Sequence, residues 1–443
     1  MPEPVGRSGA WRHPRGATPL TDLHRSIAVP AQGVLRKLIA FSGPGFLISV
    51  GYMDPGNWAT DLGGGAGYGY MLLSVVVLSS LMAMLLQALS LRLGIATGLD
   101  LAQACRAAYP LPAAVALWLL AEIGIIACDL AEIVGAAIAL QLLFGLKLLW
   151  GVLLTALDTL VILSLQRFGF RLVEAIVIVL IALIILCFGY ELIAARPDAA
   201  ALAAGLLPRP AIWRDPGALF IAVGIVGATV MPHNLYLHSA LVQTRRYALD
   251  DAGRRDAIRY ATADSCLALT LALLVNAAIL ALAAAVFHTS GHEEIASIQE
   301  AAVLIAPLLG APLAAIVFAA ALLASGQNST LTGTLAGQIV MAGFVDLKLA
   351  PWLRRLVTRL LAILPAAAII ATAGEAATEN LLIASQVVLS MQLPFAMVPL
   401  VLFTADRRKM GGFVSPVWLT ALAAAVSAVI IVLNVKLLVD LVP

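Results

Sequence analysis

Two short runs carry donor groups inside otherwise apolar stretches: Asp54-Pro55-Gly56-Asn57 and Met231-Pro232-His233-Asn234. They offer a carboxylate (Asp54), an amide oxygen (Asn57) and a thioether (Met231), and the unwound chain near Ala228 adds a backbone carbonyl. Oxygen donors suit hard cations, whereas a thioether gains little from Mg²⁺ or Ca²⁺. A set that mixes both kinds favours dehydrated Mn²⁺, Fe²⁺ and other divalent transition-metal ions. A single methionine in an apolar stretch ordinarily packs and does nothing more. Its place at a helix break beside a proline sets Met231 apart.

A second chemistry is proton movement. Ionisable residues within apolar stretches are costly and mark functional positions. Here they are Asp54, Asp61, Glu122, Asp129, Glu132, Asp158, Glu174, His233, His238 and Asp264. Asp129 and Glu132, at i and i+3, share one helix face. A histidine changes charge near neutral pH, so Asp54 beside His233, with Asp129 and Glu132 behind, makes a candidate proton relay. Glu174 and Asp264 fall near predicted helix ends and are expected to meet water or a nearby arginine. All Lys and Arg residues are placed outside the membrane centre, so no basic partner is expected at depth. Cys105, Cys128, Cys187 and Cys266 show no paired spacing and are expected to pack as small apolar residues.

The elements that position these residues follow from composition. Of 443 residues, 62% are hydrophobic and 12% charged, with a mean hydropathy of +0.99. Soluble domains carry about 25% charged residues, so the chain is an all-α integral membrane protein. Apolar windows of about 20 residues predict eleven spans, near 40–66, 70–95, 113–142, 146–165, 171–194, 217–244, 261–287, 309–342, 356–374, 379–403 and 416–440. An amphipathic loop helix is expected near 293–306. Residues 1–38 read as a disordered cytoplasmic tail without a signal peptide, 39–403 as the membrane core, and 404–443 as a loop with the last span. With the N-terminus inside, 22 of the 27 basic residues lie on the inner side, which places the C-terminus outside. The clusters at 245–259 and 354–359 are then topology determinants, and no nucleic acid partner is expected.

Both breaks interrupt predicted spans, the first and the sixth. A broken helix in hydrocarbon is tolerated only where its freed backbone lines a cavity or binds something. Paired breaks in corresponding halves point to a transporter's binding site. The two are five spans apart, an odd offset that reverses direction across the membrane and allows two inverted five-helix halves. Gly63 to Gly69 are expected to form the outer turn after the first span. Gln87, Gln327, Asn328, Thr332, Gln338 and Gln386 are expected to line a wet pathway or bond between helices. No ATP-binding or catalytic motif is present, so no enzyme activity and no cofactor are expected.

The motifs Asp54-Pro55-Gly56-Asn57 and Ala228-Thr229-Val230-Met231-Pro232-His233 resemble the signatures of the Nramp family of proton-coupled divalent transition-metal importers. Residues 231–239 and 385–394 are also similar to family sequence, and the likeness runs from about 40 to 440. The resemblance implies a LeuT-type fold, a 5+5 inverted repeat with helices 1 and 6 broken at mid-membrane. It implies a metal site of Asp54, Asn57, Met231 and the Ala228 carbonyl, joined by Gln386 when occluded. It implies that His233, Glu122, Asp129 and Glu132 serve proton movement, with Arg354 and Arg355 near the inner end of the route. The expected partners are metal ions, protons and the lipid bilayer of a bacterial-type cytoplasmic membrane, with no obligate protein partner. Three rivals remain: a sodium-coupled amino-acid or organic-cation symporter on the same scaffold, an ion channel, and an intramembrane enzyme.

Overall fold

A computed structural model describes residues 24–30, 32–155, 170–293, 297–345, 351–374 and 377–441, and of Arg354 and Arg355 only the backbone. Most of the predicted tail, Asp158 and part of the fourth predicted span lie outside the described residues. The first predicted span is three helices, α1 (Val34–Phe41), α2 (Pro44–Gly51) and α3 (Pro55–Tyr68). The axis bends by 42° between α1 and α2, at Gly43, whose φ of 141° suits only glycine. Then follow α4 (Leu73–Thr97), α5 (Leu101–Ala108), α6 (Leu111–Phe144) and α7 (Phe170–Ala195). The sixth predicted span is α8 (Pro216–Thr229) and α9 (Pro232–Leu241). The chain continues through α10 (Asp251–Val286), α11 (Ile298–Leu309), α12 (Ala314–Val345), α13 (Pro351–Ala373), α14 (Ala377–Ala405) and α15 (Val417–Leu441). Two short strands, β1 (Ile27–Ala28) and β2 (Arg245–Arg246), pair in parallel.

Among the described residues, eight helical segments are long and apolar enough to cross a membrane, or up to nine if the bent pair α1–α2 is one span. One of these, Pro55–Thr97, joins α3 to α4, and α13 contributes only a shorter apolar stretch, Leu356–Thr372. These segments therefore do not map one to one onto the eleven predicted windows. The amphipathic loop helix begins at Ile298, where the Ser297 hydroxyl accepts from the Glu300 N–H.

Gly63 to Gly67 do not form a turn; they continue α3. A Cβ at Gly65 would overlap the Leu280 carbonyl of α10, so this stretch serves close helix packing. The turn comes at Gly69, with φ 57°. Trp58, fully buried, holds α3 in the bundle between Phe188 (ring centroids 4.7 Å apart) and Phe318 (5.1 Å). Leu186, Ile193, Val417 and Trp418 point outward, as a lipid-facing surface requires.

Candidate metal centre

Each break is made by a proline at the first position of the next helix half. Pro55 and Pro232 have no N–H, so the carbonyls four residues earlier, Gly51 and Ala228, lack their helical donor. In the first break the neighbours cover the next carbonyls. Asn276 Nδ2 donates to Tyr52 O (2.8 Å), and Trp58 Nε1 (3.3 Å) and Ser325 Oγ donate to Met53 O.

Asp54 is the N-cap of α3. Its Oδ1 accepts from the Asn57 N–H at 2.8 Å, which fixes the carboxylate and leaves Oδ2 facing Cys128. Asn57 is 1% exposed and Gln386 0%, yet Asn57 Oδ1 and Gln386 Oε1 have no hydrogen-bond partner. A buried acceptor left unpaired costs about 1–3 kcal/mol, a cost that a cation between these oxygens would offset. The Gln386 amide lies on Gly56 with no room for a Cβ, and its backbone carbonyl lies equally close to Gly227. Those two glycines let α14 approach both broken helices. Met231 caps α9, is fully buried, and clusters with Cys128 and Leu389. Asn234 Nδ2 lies 3.8 Å from its Sδ and donates to Ile48 O at 3.3 Å.

The predicted ligands Asp54, Asn57, Ala228, Met231 and Gln386 are therefore all buried at or beside the two breaks. Among the described residues, no group of three or more His, Cys, Asp or Glu side chains is arranged to hold a metal. A cargo site has reason to avoid such a cage, because its ion must leave again. Neutral amides, a thioether and a carbonyl around one carboxylate would hold an ion more weakly than such a cage.

Behind this group the structure overturns one expectation. Arg359, 1% exposed on α13, places Nη1 3.3 Å from Glu132 Oε2 and 3.9 Å from Asp129 Oδ1. A basic side chain does lie at depth, against two fully buried carboxylates. Its Nη2 also lies 3.5 Å from Thr155 O and Thr330 Oγ1. The side chains of Arg354 and Arg355 lie outside the described residues. Gly333 of α12 faces both carboxylates, where a Cβ would stand 2.9 Å from Glu132 Oε1. Glu122 is apart from this cluster. It is partly exposed, two turns and about 10 Å along α6 from Asp129, and accepts from Trp118 Nε1 at 2.9 Å.

The two clusters meet at Cys128. Its Sγ lies 3.6 Å from Glu132 Oε1, 3.9 Å from His233 Nε2 and 4.0 Å from Asp54 Oδ2. Cys128 packs as expected beside Met231 and Leu389, and it also touches polar groups of both clusters. Its legible signal was helical spacing: it stands four residues before Glu132 on the same face. Arg359 was legible too, one turn deeper into the apolar run than Arg355.

Among the described residues, side chains close the end of the bundle that carries α1. Gln87 Nε2 donates to Tyr52 Oη at 2.8 Å, and Gln87 Oε1 lies 3.0 Å from His238 Nδ1. Below this layer, Arg245, fully buried, pairs with Glu174 at 2.8 Å and donates to Ala40 O and Ser42 O. Arg171 reaches Glu174 at 3.0 Å from the other side, so Glu174 does meet arginine. Asp264 feels the charge of Arg245 as well and accepts from the Gly45 N–H at 2.7 Å. The β1–β2 pair and the Lys37–Asp256 ion pair (2.6 Å) tie the first segment down further.

This architecture has close counterparts. Residues 45–440 match the family profile described as Natural resistance-associated macrophage protein-like, Nramp. A divalent metal cation transporter MntH of Xanthomonas campestris pv. campestris is 59% identical over 94% of both chains. The MntH of Bradyrhizobium diazoefficiens is 56% identical over 99% of this chain and 98% of its own. The crystal structure of a mutant Eremococcus coleocola manganese transporter superposes with a TM-score of 0.87 at 39% identity, over 96% of this chain and 90% of that one. Mhp1, a nucleobase-cation-symport-1 family transporter, matches at a TM-score of 0.54 and 16% identity, over 90% of each chain, a likeness of fold alone. With both broken helices in place, the chain has the LeuT-type fold and belongs to the Nramp family.

Proposed function

We propose that the protein imports divalent transition-metal ions, Mn²⁺ and also Fe²⁺ and similar ions, together with protons, across a cytoplasmic membrane by alternating access. The observation that carries this reading is the donor set at the paired breaks. The Asp54 carboxylate, the unpartnered oxygens of Asn57 and Gln386, the Ala228 carbonyl without a helical donor and the Met231 thioether stand together, fully or almost fully buried. The relatives described as divalent metal cation and manganese transporters support the cargo class. A sodium-coupled symporter for organic solutes has no use for the thioether.

Charge balance supports the coupling. Asp54, Asp129 and Glu132 are three buried carboxylates, and among the described side chains the Arg359 guanidinium lies against two of them. Buried charge must be compensated, and either a divalent ion or protons can do so. In this reading Asp54 holds the metal and receives the first proton. His233, Asp129 and Glu132 pass protons onward, Arg359 holds the two carboxylates apart from solvent, and Glu122, Arg354 and Arg355 lie toward the inner exit. The excess of basic residues puts the α1 end in the cytoplasm and the C-terminus outside. The shut end is then the cytoplasmic one, and import requires that its Arg245–Glu174 latch open.

Purified protein in proteoliposomes tests this, with Mn²⁺ uptake and internal pH followed together. Saturable Mn²⁺ entry that resists millimolar Ca²⁺ and acidifies the lumen is expected, and Asp54→Ala should abolish it. Metal entry without acidification would overturn the proton coupling. Sodium-driven uptake of an organic solute, with no metal entry, would overturn the function while leaving the fold.

A further inference from the structure

We propose that Cys128 is a specificity-determining residue of the transport site, a second sulfur donor that biases it toward thiophilic ions such as Cd²⁺ relative to Mn²⁺. The inference deepens the metal-transport reading and rests on it. Cys128 Sγ is 4.0 Å from Asp54 Oδ2, the carboxylate oxygen that the Asn57 N–H does not hold. Metal–oxygen and metal–sulfur bonds of about 2.1 and 2.3 Å together span about 4.4 Å. One ion can therefore touch both atoms where they stand, at an oxygen–metal–sulfur angle of about 130° with those bond lengths, as the thiol gives up its proton to Glu132 Oε1, the carboxylate oxygen 3.6 Å away. A larger ion with longer bonds bridges them at a narrower angle.

The thiol is also only weakly engaged. It donates to Glu132 Oε1 at 3.6 Å and lies 3.9 Å from His233 Nε2, and a thiol is a weak donor. On its other side it shares an apolar cluster with Met231 and Leu389. The two sulfur-bearing side chains thus come together from α6 and from the second break. An independent sign of a ligand here is the unpartnered Asn57 Oδ1, 1% exposed, one helical turn from Asp54. Two sulfurs beside one carboxylate make a softer site than one sulfur does.

The test compares Cd²⁺ and Mn²⁺ in the same proteoliposomes. In Cys128→Ser, the ratio of kcat/KM for Cd²⁺ to that for Mn²⁺ should fall about tenfold, the low end of what residues close to a bound metal are worth. An unchanged ratio would overturn the inference. A second measurement needs no variant: N-ethylmaleimide labelling of wild-type protein, read by peptide mass, with and without Mn²⁺. At about ten times its Kd, Mn²⁺ should slow labelling of Cys128 about tenfold and leave that of the partly exposed Cys266 unchanged. Labelling of Cys128 that ignores Mn²⁺ would also overturn it. Wild-type vesicles that take up neither metal would mean instead that the transport reading has failed.

Discussion

Arg245→Ala should open the end of the bundle that the structure shows shut. Arg245 is 0% exposed and Glu174 2%, with Nη1 and Oε1 2.8 Å apart. The guanidinium also donates to Ala40 O (3.0 Å), Ser42 O (2.9 Å) and Thr244 Oγ1 (2.9 Å), joining the bend between α1 and α2 to the end of α9. Removing one partner of a buried ion pair costs about 3–5 kcal/mol. Arg171 remains 3.0 Å from Glu174 and also donates to Ser42 O, so the loss should be nearer 2–3 kcal/mol by the same scale. In the alternating-access reading, the latch exists only while this end is closed. Its loss should therefore shift the equilibrium toward the open form by roughly 30- to 150-fold. Spin labels at Arg36 and Arg255, both exposed on α1 and α10, would read the shift as a longer distance in a background free of native cysteines. Arg171→Ala should shift it less, because that side chain is 47% exposed and holds Glu174 less tightly. An Arg245→Ala distance distribution identical to that of the parent would refute the reasoning.

Met231→Ala should keep some Mn²⁺ transport and admit competition by Ca²⁺ or Mg²⁺ in an uptake assay, and unchanged selectivity would remove the thioether argument. Gly56→Ala should cut Mn²⁺ uptake by about ten- to a hundredfold in folded protein, since its Cβ would overlap the Gln386 amide; near-normal uptake would show that α14 yields there. Arg359→Ala leaves Asp129 and Glu132 buried without the guanidinium. It should depress proton flux more than metal uptake, and an unaltered proton-to-metal ratio, from internal pH and Mn²⁺ entry, would exclude that role.

Much of the site was legible in the amino-acid order because its causes are local. A proline removes a specific hydrogen bond wherever it stands, so Pro55 and Pro232 mark the breaks and the carbonyls they release without any tertiary contact. Asp54, Asn57 and Met231 sit within a turn of those prolines, and their donor chemistry is a property of the side chains. Apolar windows and the basic-residue bias likewise need only the bilayer as solvent. What the sequence could not decide was which groups meet across helices. Arg359 looked like one more inner-side charge, yet α13 packs along α6 and carries it to Asp129 and Glu132. Cys128 looked like a small packing residue until α6 set it against α3 and α9 together. The glycines after Asp54 looked like a turn because glycine favours turns. Only the approach of α10 shows that space, rather than backbone freedom, is what Gly65 provides. Proline breaks are written along the chain, whereas ion pairs and close helix crossings depend on partners far apart in sequence, which folding alone brings together.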